Sequence, residues 1–200
     1  MIAKTYHEFL ASKEWNAHSA GLDYDPDLSD KLFPFQRDCV RWALRKGRSA
    51  IFSGTGLGKT FQQLEWAKHI CAHTGQKTLI LAPLAVARQT VREGDKYGIP
   101  VAYVRDTASL CDGVNITNYQ MLDAFDPDDF AGVALDESSI LKSFDGKTRN
   151  RIISAFSDTP YRLACTATPA PNDVAELCNH AEFLGVMPRN EMLAAFFVHD

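Results

Sequence analysis

The chain has 200 residues, 46% of them hydrophobic, with a formal net charge of −4 and a sequence pI of about 5.8. That length supports one substantial core, and the acidic balance excludes a globally basic nucleic-acid surface, so any such contact must come from local side chains and backbone amides. Cys39, Cys71, Cys111, Cys165 and Cys178 are scattered, odd in number and without a Cys-x-x-Cys pair, which offers no disulfide framework and suits a reducing cytosol.

In chain order, residues 1–8 lack a basic start followed by an apolar run, so they read as no secretory signal. No stretch approaches the roughly 18 apolar residues of a membrane helix. Residues 1–30 form a mixed, polar lead-in that ends in a turn, Asp23-Tyr-Asp-Pro-Asp-Leu-Ser-Asp30. Val40, Ala43 and Leu44 have helical spacing and predict a helix over 39–46. A short strand follows at 49–52, then a helix over 60–73 with Phe61, Leu64, Ala67 and Cys71 on one side. Residues 78–82 read as a buried strand stopped by Pro83, and a helix runs from there to about Tyr97. Strands are expected at 101–104, 114–117, 132–136 and 161–166, with helices over 148–156 and 173–184.

Alternating strands and helices imply right-handed crossovers and an α/β fold, a mostly parallel sheet with helices on both faces. Ligands in such sheets bind beyond the carboxyl ends of the strands. His69-Ile-Cys71-Ala-His73 and Cys178-Asn-His180 have no second ligand pair at zinc-site spacing, so both read as ordinary helix residues.

Ser53-Gly-Thr-Gly-Leu-Gly-Lys-Thr60 follows a strand and opens a helix, the context of a phosphate-binding loop. Glycines let successive N–H groups turn inward around phosphate oxygens, and the helix N-terminus adds a favourable dipole. Gly54, Thr55, Gly56, Leu57, Gly58, Lys59 and Thr60 are therefore the candidate ATP-binding residues. Lys59 is placed on the β- and γ-phosphates and the Thr60 hydroxyl on Mg²⁺. Ser53 stands where the usual first glycine would be.

Asp136 and Glu137 end a later strand. Asp136 is the candidate Mg²⁺ acid, and Glu137 the base that orients and deprotonates the attacking water. Upstream, Phe35 and Gln36 lie one helix before the loop. A glutamine amide can both donate to and accept from one edge of adenine, and an aromatic ring can stack on the base. Thr166 and Thr168, in Cys165-Thr-Ala-Thr-Pro-Ala-Pro171, are candidates to bond the acidic motif and sense the γ-phosphate.

These segments, in this order, resemble the first RecA-like lobe of superfamily 2 helicases, nearest to SWI/SNF-type translocases and phage-encoded relatives. Phe35 and Gln36 match the Q motif, 54–60 motif I, Asp136 and Glu137 motif II, and Thr166 to Thr168 motif III. Ile80-Leu-Ala-Pro-Leu84 suggests motif Ia, and Ile116-Thr-Asn-Tyr119 suggests motif Ib. The resemblance implies a P-loop NTPase lobe over 31–187, with 188–200 opening a connection to a second lobe. It implies ATP and Mg²⁺ as cofactors, DNA as partner, no membrane, and the cytoplasm of a bacterial or phage-infected cell. Leu84, Arg88, Thr117 and Asn118 are its candidate DNA contacts, through backbone phosphates.

The chain departs from the family in two places. Motif II reads Asp-Glu-Ser-Ser, leaving Ser139 to make the bond to motif III that couples hydrolysis to movement. No second lobe, with its arginine finger, precedes Asp200, and the apolar run over 193–200 reads as a truncation. Two other classes fit a phosphate loop: a non-catalytic nucleotide-binding module, and a small-molecule phosphotransferase. The second needs an arginine-rich lid, for which Arg149 and Arg151 are the only close pair after residue 100.

Overall fold

In the computed structural model, which describes residues 5, 19–142 and 146–197, the apolar runs become six strands. These are β1 (Arg48–Phe52), β2 (Lys77–Ala82), β3 (Val101–Tyr103), β4 (Val114–Asn118), β5 (Phe130–Asp136) and β6 (Tyr161–Thr166). Every neighbouring pair is parallel, in the order β1-β6-β5-β2-β4-β3. Helix α1 (Pro34–Lys46) precedes β1, α2 (Lys59–Thr74) joins β1 to β2, and α3 (Leu84–Tyr97) joins β2 to β3. Helix α4 (Lys147–Ala155) lies between β5 and β6, and α5 (Leu177–Phe183) and α6 (Arg189–Phe196) follow β6. Among the described residues, no helix is long and apolar enough to cross a membrane.

Both faces of the sheet are buried under helices, and successive strand side chains point to opposite sides. Along β2, Ile80 and Ala82 join one core cluster with Val40, Leu44, Leu64 and Trp66. Leu79 and Leu81 join the other, with Ile152, Phe156 and Phe183. Helices α1, α2 and α3 thus cover one face, and α4 and α5 the other. This is the expected α/β architecture.

Several boundaries differ from the sequence reading. Helix α1 starts five residues early, at Pro34. Proline suits a first helical position, having a preset φ and no N–H to satisfy there, and the Gln36 side chain accepts from Phe33 N–H at 2.9 Å. Helix α2 is buried on nearly every side, with Gln62, Gln63, Glu65, Trp66 and Ile70 as inaccessible as Leu64. The one-sided stripe expected there misses that α1 and α3 flank it. The helix expected over 173–184 is divided into a 3-10 turn, Val174–Glu176, and α5. Helix α6 was not anticipated, since none of its residues is buried and no apolar periodicity marks it. Leu22 and Leu28 of the lead-in join the core, and Leu22 N–H donates to the Leu44 carbonyl near the end of α1 at 2.9 Å. Residues 1–4 and 6–18 of the lead-in, and 198–200 of the apolar run, lie outside the described residues.

Candidate nucleotide-binding site

The loop over 53–58 lies at the carboxyl end of β1, between Phe52 and Lys59. Gly56 and Gly58 have φ of +81° and +74°, values that glycine adopts without the strain a side chain brings. Gly58 is constrained twice, because a Cβ there would lie 2.4 Å from Gln36 Nε2. Lys59 Nζ folds inward and donates to the carbonyls of Ser53 and Gly54 at 2.9 and 3.1 Å. Phosphate oxygens would take over those contacts. Ser53 N–H donates to the Thr166 carbonyl at 3.3 Å, and its φ is not positive, so the turn accepts serine in place of glycine. Gly54, Thr55 and Leu57 are exposed on the loop, and Thr60 is half-buried in the first turn of α2.

Strand β6 separates β1 from β5. Its register sets Thr166 beside Phe52 and Cys165 beside Asp136. The loop, Thr166 and the acidic pair are thereby brought to one edge of the sheet. Asp136 is 5% exposed. Burial, and then the charge of Glu137, push its carboxyl up to about 6, partly offset by Gln63, the Glu137 main chain and Lys59. Two adjacent carboxyl groups with so little neutralising charge suit a hard divalent cation, and the Thr60 hydroxyl with Asp136 offers the oxygen donors that Mg²⁺ takes.

Thr166 Oγ1 donates to Glu137 Oε2 at 3.3 Å and accepts from Thr168 N–H at 3.1 Å. This brings the threonine segment and the candidate base together. Ser139 is not part of this link: it makes no hydrogen bond to Thr166 or Thr168. Its neighbour Ser138 turns inward instead and shares a 3.1 Å hydrogen bond with His180 Nε2, because a 3-10 turn over Ser138–Lys142 rotates the two serines apart.

Gln36 is 5% exposed, and both ends of its amide bond the protein: Oε1 accepts from Phe33 N–H and Nε2 donates to the Leu57 carbonyl, each at 2.9 Å. Each end keeps a second bonding position, one lone pair on Oε1 and one N–H on Nε2, with which adenine could be read. Phe35 is exposed and stacked on Phe33, with ring centroids 6.3 Å apart.

The candidate DNA contacts are divided. Leu84 is 61% exposed, and Arg88, one turn on, is also exposed. Thr117 is fully buried in β4, and Asn118 is 5% exposed. The Asn118 side chain accepts from Gln120 N–H at 3.0 Å and donates to Tyr103 OH at 3.4 Å. Neither side chain is presented to a nucleic acid, since β4 is an interior strand buried on both faces.

Sequence reasoning missed three residues here. Tyr119 OH donates to the Asp136 carbonyl at 2.6 Å. Gln62 Nε2 donates to the Leu57 carbonyl at 3.1 Å, the same oxygen that Gln36 uses. His180 reaches Ser138. Tyr119 ends the Ile116-Thr-Asn-Tyr119 segment, a position that gave a signal without a role; His180 was weighed only as a metal ligand, and Gln62 gave no signal. Arg149 is paired with Glu182, and Arg151 with Asp123 at 2.6 Å. Both guanidiniums are thus engaged in ion pairs on the fold.

A loop of phosphate-binding pattern, an acidic strand end and a threonine-bearing strand between them, on an all-parallel sheet, define a RecA-like α/β lobe. Residues 35–196 match the SNF2-related domain, and the chain belongs to that family. It is 30% identical over 192 residues to the bovine (Bos taurus) DNA annealing helicase and endonuclease ZRANB3, covering 82% of this chain and 17% of that protein. It is 29% identical over 168 residues to the SWI/SNF-related matrix-associated actin-dependent regulator of chromatin subfamily A-like protein 1 of Xenopus tropicalis, covering 76% and 17%. Its fold is similar to the Sulfolobus solfataricus SWI2/SNF2 ATPase core in complex with dsDNA, with TM-score 0.70, 20% identity, and coverage of 86% of this chain and 40% of that one. The UvsW helicase of bacteriophage T4 is similar at TM-score 0.65 and 15% identity, covering 92% and 66%. The chain thus spans about a sixth of the length of these two curated relatives (17%).

Proposed function

We propose that this chain is the ATP-binding and hydrolysing lobe of a DNA helicase or double-stranded DNA translocase. The observation that carries the reading is that Asp136, Glu137 and Thr166 come together at adjacent strand ends with Lys59, the first residue of α2, near Asp136, within a domain of the SNF2-related family. The loop amides and Lys59 bind and orient the triphosphate. Thr60 and Asp136 would hold Mg²⁺, which when bound neutralises charge between the β- and γ-phosphates. Glu137 takes the proton of the attacking water. Thr166, bonded to Glu137, links the state of that carboxylate to β6 and the segment after it.

The relatives are helicases and chromatin regulators by name, and one structural neighbour is bound to duplex DNA. DNA as partner, and a second RecA-like lobe completing the cleft, follow from that kinship. An arginine finger from the opposite side is worth roughly 10³–10⁵ in rate in related phosphoryl transfers, so the 200-residue chain is expected to bind Mg²⁺-ATP weakly and hydrolyse it slowly. The test is nucleotide binding together with an ATPase titration with duplex DNA on the purified chain. Weak binding with little DNA stimulation is the expected result. Robust stimulation in a monomer overturns the need for a second lobe, and no binding overturns the site.

A further inference from the structure

Among the described residues, Glu137 is the one non-glycine position with positive φ, +55°. There Cβ crowds the following carbonyl, a conformation that costs an ordinary residue energy. Such a residue persists only where its surroundings over-determine it, and here the neighbours on both sides are tied down. Immediately before it, the Asp136 carbonyl accepts from Tyr119 OH at 2.6 Å, and Tyr119 is 6% exposed. Immediately after it, Ser138, fully buried, shares its hydrogen bond with His180, which is 2% exposed on α5. The His180 ring stands edge-on to Phe52, with centroids 5.2 Å apart and planes at 84°. Phe52 is the last residue of β1, where the phosphate loop begins.

Resting on the reading of Glu137 as the base, we propose that Tyr119 and the Ser138–His180 pair are positioning residues. They hold the Glu137 backbone left-handed so that its carboxylate faces the cleft, and His180 ties that turn to the root of the phosphate loop. Neither Tyr119 nor His180 touches the reacting atoms; both act through Glu137. If φ relaxed to negative values, the Glu137 Cβ would swing away and the bond from Thr166 Oγ1 would break. The tie is specific to hydroxyls. Apolar residues of similar size at 119 and 138 would fill the space but leave the turn free.

The experiment uses Tyr119→Phe and Ser138→Ala, singly and together, with Ser138→Thr as the conservative variant. NMR of the labelled chain reads the strong intraresidue amide-to-Hα NOE that marks a positive φ. Wild type and Ser138→Thr should show it at Glu137, and the double variant should lose it. Affinity for a Mg²⁺-bound, non-hydrolysable ATP analogue should stay within about twofold. Single-turnover hydrolysis should fall on the order of tenfold or more, the scale of a misplaced catalytic group. A double variant that keeps the NOE overturns the proposal, as does a loss of affinity matching the loss of rate. If the double variant does not fold, the single variants carry the same comparison. If wild type binds no nucleotide, the base assignment falls while the NOE comparison still decides the positioning.

Discussion

Gln36 and Leu57, 21 residues apart, are joined by a 2.9 Å hydrogen bond from the Gln36 amide to the Leu57 carbonyl. The residue expected from sequence to read the base also ties the start of α1 to the candidate phosphate loop, and Gln62 donates to the same oxygen. On that expectation, nucleotide recognition and loop shape share one side chain.

Replacing Gln36 with alanine should weaken every nucleoside triphosphate, because the loop loses a tether. ATP should suffer further, because the adenine contact goes too. A hydrogen bond of this kind contributes about 1 kcal/mol net, so GTP binding should weaken several-fold and ATP binding more. Calorimetry with both nucleotides decides it. Equal losses would assign Gln36 to the loop alone.

Gly58→Ala should mimic part of that defect. The new Cβ meets Gln36 Nε2 at 2.4 Å on a backbone held at φ +74°. Left-handed strain alone costs roughly 1–2 kcal/mol, and the collision displaces the amide. Chemical denaturation should show lowered stability. In a double-mutant cycle with Gln36→Ala, the two effects on ATP affinity should overlap rather than add; full additivity would separate them.

Lys59→Ala and Glu137→Gln should fail differently. The first removes the ammonium now seated between the Ser53 and Gly54 carbonyls, so affinity for Mg²⁺-ATP should collapse along with hydrolysis. The second keeps size and hydrogen-bonding capacity but cannot take a proton, so binding should survive while slow hydrolysis is lost. Wild-type affinity in the lysine variant, or wild-type turnover in the glutamine variant, contradicts the respective assignment.

Glu65 gives a pH dependence with a definite sign. It is fully buried in α2, and burial pushes its carboxyl up. Hydrogen bonds with His69 and from Ser29 N–H, with the nearby charge of Lys68, outweigh that and leave it below the ordinary value of 4.5. A group depressed in the fold adds stability above its unfolded value and loses it as pH falls through the folded one. Glu65→Gln should therefore be less stable than wild type at pH 7, with the gap closing below about pH 4. Urea melts across that range give the answer, and a gap independent of pH would rule out the ionised carboxylate as its source.

The strands, the phosphate loop and the acid pair were legible because each depends on local pattern: an apolar run, a glycine spacing, a carboxylate at a strand end. What remained illegible depends on register and rotation. Whether Ser138 or Ser139 turns inward is set by a single 3-10 turn that no periodicity announces. Thr117 and Asn118 looked available because the strand order that makes β4 interior is not written in its own residues. The polar residues buried in α2 look solvated in sequence, and only the neighbouring helices and Ser29 show why Glu65 is inside. The Tyr119 hydroxyl meets the Asp136 carbonyl across a gap of 17 residues, a distance over which sequence carries no geometric information.

The strand order also leaves β1, the strand that leads into the phosphate loop, at the rim of the sheet, paired on one flank only among the described residues. Trp42 and Phe52 share a surface groove with Ala50 and Ile51 of that strand and are 49% and 43% exposed. A bare rim flanked by aromatic side chains is a template for foreign strands. Self-association in concentrated solution would then start beside the candidate nucleotide-binding loop.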